Sequence, residues 1–127
     1  MSGRGPLYST DLYTAVTIDG DVATVHFSSY ANDRMEEMIA LEFLDPGRSV
    51  RQSHPLGSVD VMKALIDIPA AVSGVIVAVN PKVIDTPDLS KEDPFGEGWL
   101  VKLRVSDPPE LDGLLSEEAY QERARDS

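Results

Sequence analysis

The sequence predicts a single, mostly β domain, a sandwich of short strands decorated with helices, and three observations carry that expectation. Short segments of alternating apolar and polar residues recur along the chain. Turn-forming clusters such as Asp19-Gly20-Asp21 and Asp45-Pro46-Gly47 punctuate them. The length, 127 residues, suits one hydrophobic core but not two.

Taken in order, residues 22–28 alternate well enough for a strand, entered by the turn at Asp19-Gly20-Asp21. Ser28 or Ser29 is placed to cap a short helix running through Met38, with Met35 and Met38 packing inward. Residues 39–43 read as a strand closed by Asp45-Pro46-Gly47. Residues 57–80 are rich in β-branched and apolar side chains, interrupted near Lys63 and again at Ser73-Gly74. That pattern predicts a hairpin and then a strand over 75–79, ending at Asn80-Pro81. Pro87 suits the first position of a short helix capped by Asp85 or Thr86. Over 99–105, Trp99, Val101, Leu103 and Val105 face one way and Lys102 and Arg104 the other, with Trp99 as the expected core anchor. Ser106-Asp107-Pro108-Pro109 opens one terminal helix, and Ser116 caps another. His26 is expected to point outward or to be satisfied locally, and His54 lies in a loop. With no linker or repeat in sight, residues 1–127 read as one domain with frayed ends.

Composition excludes several classes. The chain carries 22 acidic against 11 basic residues, a formal net charge of −11, which argues against nucleic acid because phosphate binding needs a concentrated basic face. An acidic surface of this kind keeps a protein in solution and can steer it toward basic partners. There is no cysteine, so disulfides, thiolate metal sites and a cysteine nucleophile are ruled out, and any thiol chemistry must arrive with a cofactor. Two histidines leave little for a metal cluster, and none is expected. No paired histidine and acid, phosphate loop or nucleophile elbow marks a catalytic centre, so no catalytic residue is assigned. No apolar run is long enough for a bilayer span and no secretory signal is evident, which makes a cytoplasmic location the expectation, or an organelle matrix if a transit peptide was removed.

Lys63 stands out. It is one of four lysines and lies in Val61-Met62-Lys63-Ala64-Leu65-Ile66, with no further charge before Asp67. It is either a surface residue on an amphipathic segment or a side chain presented at a turn for modification, and periodicity alone does not choose between them.

The surroundings bear on that choice. Gly57-Ser58-Val59-Asp60-Val61-Met62-Lys63, followed by Val72-Ser73-Gly74-Val75, resembles the attachment hairpin of biotinyl and lipoyl domains. Further along, Glu92-Asp93-Pro94-Phe95-Gly96-Glu97-Gly98-Trp99-Leu100-Val101-Lys102-Leu103 is similar to the signature of glycine cleavage H proteins. So is Ser106-Asp107-Pro108-Pro109-Glu110-Leu111-Asp112-Gly113-Leu114-Leu115 with Glu118-Ala119-Tyr120. Gly20-Asp21-Val22-Ala23-Thr24-Val25, Tyr30-Ala31 and Leu41-Glu42 fit the same family, and the resemblance spans residues 7–121.

The resemblance implies a barrel-sandwich hybrid fold of the lipoyl and biotinyl type with short helices in the N-terminal half and at the C-terminus. It implies a carrier rather than an enzyme, with lipoate joined covalently to Lys63, and a role in shuttling an aminomethyl group during glycine catabolism and one-carbon metabolism. Asp60, three before the lysine, and Gly74, eleven after it, would help the lipoate-attaching enzyme recognise the hairpin. The other implied partners are glycine decarboxylase, aminomethyltransferase and lipoamide dehydrogenase. Asp67 matches an acidic residue of the family's arm-holding cleft, whereas Thr14 stands where the family has a cleft glutamate and Arg34 where some members have histidine. Three other readings stay open. They are an H-like lipoyl carrier of another pathway such as lipoyl relay or sulfur oxidation, a biotin carrier (Met62 precedes Lys63), and an unmodified interaction module.

Overall fold

Alternating apolar residues generate strands that each bury one face, and turn glycines fold them back on one another. The computed structural model of the protein describes residues 6–35, 38–62 and 64–126. Lys63 lies outside them. Among the described residues the strands are β1 (Leu7–Tyr8), β2 (Thr14–Asp19), β3 (Val22–Phe27), β4 (Met38–Phe43), β5 (Ser49–Val50), β6 (Pro55–Val61), β7 (Ala64–Pro69), β8 (Gly74–Val79) and β9 (Val101–Val105). The helices are α1 (Ser29–Arg34), α2 (Pro81–Asp85), α3 (Leu89–Glu92) and α4 (Glu117–Arg125), with a 3₁₀ turn over Pro108–Gly113.

Two antiparallel sheets result, one of six strands in the order β1-β2-β3-β9-β8-β5 and one of three in the order β4-β6-β7. Neither closes into a barrel. Val16, Val25 and Phe27 of the first sheet share one core with Leu56, Val59 and Ile68 of the second, which makes the arrangement a sandwich. The expected mostly β architecture is therefore present. Gly20, at φ +64°, supplies the positive dihedral on which the β2–β3 hairpin turns.

A smaller cluster, Tyr8, Leu12, Ala15 and Tyr120, fastens the C-terminal helix. The Tyr8 and Tyr120 rings stack 3.9 Å apart, and the Tyr120 hydroxyl accepts the Tyr30 N–H at 2.9 Å, so α4 is tied both to β1 and to the start of α1. Ser28 and Ser116 cap α1 and α4 as expected, their hydroxyls accepting from Ala31 and Ala119.

Several expectations are corrected. The first helix does not run through Met38. It stops at Arg34, the Met35 N–H closes back on Ala31, and Met38 pairs with Val61 as the first residue of β4. Strand pairing there outweighs helix extension, and Lys91 donates to the exposed end of α1 through the Met35 carbonyl at 3.3 Å. Met35 and Met38 are both buried, as the sequence suggested. The proline that begins a helix is Pro81, capped by Asn80, and not Pro87, which sits in the turn before α3. Strand β2 was not anticipated. Its Thr14, Ala15 and Val16 are all buried, so no alternation betrays it.

Trp99 is not the core anchor. Strand β9 begins at Val101, Leu100 and Val101 are fully buried, and Trp99 is half-exposed with the Lys102 ammonium 5.1 Å from its ring centroid. His26 does not face outward: at 3% exposure, its Nδ1 contacts the Pro94 carbonyl at 2.7 Å and its Nε2 the Thr17 hydroxyl at 3.0 Å. Burial holds its pKa below the ordinary value, so the ring stays neutral, donating to Pro94 from Nδ1 and accepting from Thr17 at Nε2. Its other face meets Phe95 at 4.6 Å, which pins the loop between α3 and β9 against β3.

Candidate attachment hairpin and its acidic face

Strands β6 and β7 form the hairpin that the sequence predicted. Val61 pairs with Ala64, leaving a two-residue connection between them, of which Met62 is 60% exposed. In the next pair Asp60 opposes Leu65, and beyond it Ser58 opposes Asp67. On the other side of β6, Asp60 pairs with Ala40 and Ser58 with Glu42 of β4. Alternation sends Val59 inward to the core and Asp60 outward, so the three strands bring Glu42, Asp60 and Asp67 onto one outer face. Gly57 lets β6 lie close to β4, because a side chain there would collide with the Glu42 carbonyl and the Phe43 ring.

The small side chains of Ala40 and Ser58 leave a shallow cleft of about 190 Å³ on this face, edged by Glu42, Asp60 and Leu65. Glu42 and Asp67 are exposed and Asp60 is half-buried. Sequence reasoning named Asp60 and Asp67 but not Glu42, Ile39 or Leu65. Glu42 was legible in principle, because inward Leu41 on β4 requires its neighbours Ala40 and Glu42 to face out. Ile39 was not legible, since its exposure follows from an irregularity in the β4–β6 register between Met38 and Ala40.

Gly74 does not join this group. It is buried at the start of β8 in the six-stranded sheet, paired with Val105 on one side and Val50 on the other. A Cβ there would fall well inside 3.0 Å of the Arg104 carbonyl oxygen, so close strand packing demands glycine. Gly74 also borders a separate groove of about 630 Å³ with Arg51, His54, Ser73 and Glu110. The Glu110 carboxylate there accepts from the Ser73 N–H at 2.6 Å and from its hydroxyl at 2.8 Å, latching the 3₁₀ turn onto the β7–β8 connection.

Thr14 does not line a surface cleft. It is fully buried on β2, paired with Phe27, and its hydroxyl donates to the Ser9 hydroxyl at 3.2 Å. Arg34 is drawn onto Tyr30, its guanidinium 3.5 Å from the ring centroid, and lines a hollow between α1 and α4 rather than the hairpin cleft. Among the described residues no group of histidine, aspartate and glutamate is placed to hold a metal ion, and no helix is long and apolar enough to cross a membrane.

Comparison with known proteins matches residues 7–127 to the family model described as glycine cleavage H-protein. The glycine cleavage system H protein of Thermotoga maritima is 39% identical over 113 residues, covering 89% of this chain and 91% of that protein. The glycine cleavage system H protein of a Synechococcus strain is 36% identical over 110 residues, covering 87% and 85%. Among solved structures, a glycine cleavage system H protein from Mycobacterium marinum superposes with a TM-score of 0.80 at 25% identity, covering 93% of this chain and 94% of that one.

Proposed function

The chain belongs to the glycine cleavage H-protein family, made up of carrier proteins rather than enzymes, and from that premise we propose that it bears a lipoyl group on Lys63. In this reading it shuttles an aminomethyl group between glycine decarboxylase and aminomethyltransferase, and lipoamide dehydrogenase restores the arm to its oxidised state.

The observation that carries the reading is the β6–β7 hairpin. Val61 and Ala64 close it, and Met62 and Leu65, on either side of position 63, are 60% and 69% exposed. The neighbourhood fits such a group: its flanking strands are anchored to the core through Val59, Val61 and Ile68, so a stalk raised between them has a fixed direction. A lipoyl group, when attached, supplies the disulfide–dithiol chemistry that a cysteine-free chain cannot supply itself. For attachment, the Lys63 amine joins the carboxyl carbon of an activated acyl donor, expelling the donor's leaving group and releasing a proton. Asp60 and Asp67 contribute negative charge beside the hairpin, which favours a cationic amine on the cargo. Gly74 acts through the shape of the sheet.

A second reading draws support from Thr14 and Arg34. With position 14 buried and Arg34 held on Tyr30, the family's cleft acid has no counterpart at position 14, which suits a lipoyl carrier of another pathway, such as lipoyl relay or sulfur oxidation. Peptide mass spectrometry of the protein isolated from its native host tests the main proposal. A lipoyl adduct on Lys63 is expected. A biotinyl adduct, or a bare Lys63 in cells that lipoylate other proteins, would overturn it. Lys63→Arg should fold normally and carry nothing, because the guanidinium does not form the amide.

A further inference from the structure

The groove beside Gly74 lies at the opposite pole from the hairpin connection. His54 immediately precedes β6 and the connection follows its far end, Val61. Seven strand residues separate the two by about 20 Å. One wall of the groove is the turn from Arg51 to His54, closed by the His54 N–H on the Arg51 carbonyl at 3.0 Å. Closure makes the first and last residues of the turn neighbours, so Arg51 and His54 stand side by side. Ser53 takes the third turn position at φ +73°, where glycine would sit without strain. The surroundings impose that shape. The Ala70 carbonyl accepts the Ser53 N–H at 2.8 Å, and Gln52 donates from its backbone to the Ser73 hydroxyl at 2.9 Å and from its side chain to the Ala71 carbonyl at 3.0 Å. Across Ser73 and Gly74, the facing wall is the segment from Ser106 to Glu110, held in place by the Glu110 carboxylate on Ser73.

Both walls are therefore fixed, yet the cationic groups on them are not spent on the fold. Among the described residues, neither the Arg51 guanidinium nor the His54 ring takes part in a hydrogen bond or ion pair, and both are exposed to the groove. The exposed hydroxyls of Ser49 and Ser106 line it as well. We propose that this groove binds a small phosphate monoester, with Arg51 and His54 holding the phosphate and Asp107 receiving an ammonium or hydroxyl group at the other end. A guanidinium fork offers two parallel donors to a phosphate, and a neighbouring imidazole and two hydroxyls supply donors for its remaining oxygens. Asp107 opposes a second anionic end, so a dicarboxylate or a diphosphate is a poor fit. The groove, about 630 Å³, has the size of small-molecule sites. Nothing in the proposal needs an acyl group on Lys63, so the adduct analysis of that residue stands or falls separately.

The test titrates the full-length chain with inorganic phosphate and with phosphoethanolamine at constant ionic strength, following backbone amide shifts. Saturable shifts are expected at Gln52, Ser53, His54, Ser106 and Asp107, with phosphoethanolamine binding more tightly than inorganic phosphate. Arg51→Gln and His54→Gln alter exposed side chains, so melting should match the wild type, while Arg51→Gln should weaken phosphate binding about tenfold. Asp107→Asn should narrow the advantage of phosphoethanolamine and leave inorganic phosphate bound as before or more tightly. Lys102→Gln, which removes one positive charge on β9, should leave both affinities unchanged. Shifts that do not saturate, or an equal loss in Lys102→Gln and Arg51→Gln, would overturn the site. Phosphoethanolamine bound no more tightly than inorganic phosphate would mark an adventitious ion only, and acetate displacing phosphate at equal concentration would assign the groove to carboxylates; either result overturns the proposal.

Discussion

Gly74→Ala separates a packing role for this glycine from a recognition role. The added methyl would overlap the Arg104 carbonyl oxygen and stand 3.1 Å from its carbonyl carbon and 3.5 Å from the Leu103 Cβ. Backbone atoms on β9 cannot rotate away as a side-chain tip can, so β8 and β9 must part locally. Parting strains the pairs Gly74–Val105 and Val75–Arg104. Two weakened ladder hydrogen bonds cost about 1–3 kcal/mol, and overpacking of a close-packed layer costs about 1–3 kcal/mol more. Loss of glycine's freedom in the unfolded chain offsets about 0.4–1 kcal/mol. A net destabilisation of about 1–5 kcal/mol follows, which for a domain of this length lowers the melting temperature by about 3–20 °C. Urea and thermal unfolding read this directly. Gly113→Ala is the internal control, since its Cβ would meet nothing within 4 Å, and it should be neutral or slightly stabilising. A change below about 0.5 kcal/mol for Gly74→Ala would refute the packing argument. If the folded fraction is then acylated more slowly than the wild type, Gly74 acts in recognition.

Thr14→Glu places a carboxylate at a fully buried position and should cost about 3 kcal/mol or more of unfolding free energy, read from the denaturation midpoint. Unchanged stability would mean that position 14 reaches solvent after all. Burial depresses the His26 pKa, so the unfolded chain binds the proton more readily. Stability should be complete above the ordinary histidine value of about 6.5 and decline as pH falls below it. His26→Gln should remove much of that acid sensitivity in melting curves recorded between pH 5 and pH 7, and an identical slope in both proteins would count against it. Tyr8, pushed from 10.0 up to about 12 first by burial and then by the nearby charge of Glu117, behaves in the opposite sense. The folded state resists its ionisation, so stability should fall as pH rises from 10 toward 12. Tyr8→Phe should blunt that alkaline loss while keeping the stack on Tyr120, and a variant as alkali-sensitive as the wild type would contradict this.

Legibility in the sequence followed local physics. Strands β3, β4 and β9 were readable because one face of each meets the core and the other does not, and Ser28 and Ser116 were readable because a cap acts within four residues. The hairpin was readable from its turn and its β-branched arms. Strand β2 escaped because three successive buried residues erase the two-residue period. The boundary between α1 and β4 escaped because the residue pairing with Met38, Val61, lies 23 positions downstream. Trp99 misled because bulk suggests burial, yet Asn80 claims the Trp99 carbonyl at 2.8 Å and Leu100 takes the interior place. At the site, Asp60 and Asp67 were named through the family resemblance, as matches to its recognition and cleft acids, and not from local pattern. Glu42 could have been placed by alternation along β4, whereas the exposure of Ile39 follows from the irregular register between Met38 and Ala40. The fate of Thr14 and Arg34 depended on contacts with Ser9 and Tyr30 that no spacing rule anticipates.

The register of the six-stranded sheet has a consequence for synthesis on the ribosome. Strand β3 pairs at once with β2 across a local turn, but its second neighbour, β9, is available only when residues 101–104 have emerged, since Val22 pairs with Arg104 and Val25 with Val101. The β6–β7 hairpin, by contrast, is complete within residues 55–69. Local loops close far sooner than distant ones. As the nascent chain lengthens, the segment that carries Lys63 therefore acquires its pairing partners some thirty residues before the scaffold beneath it can close.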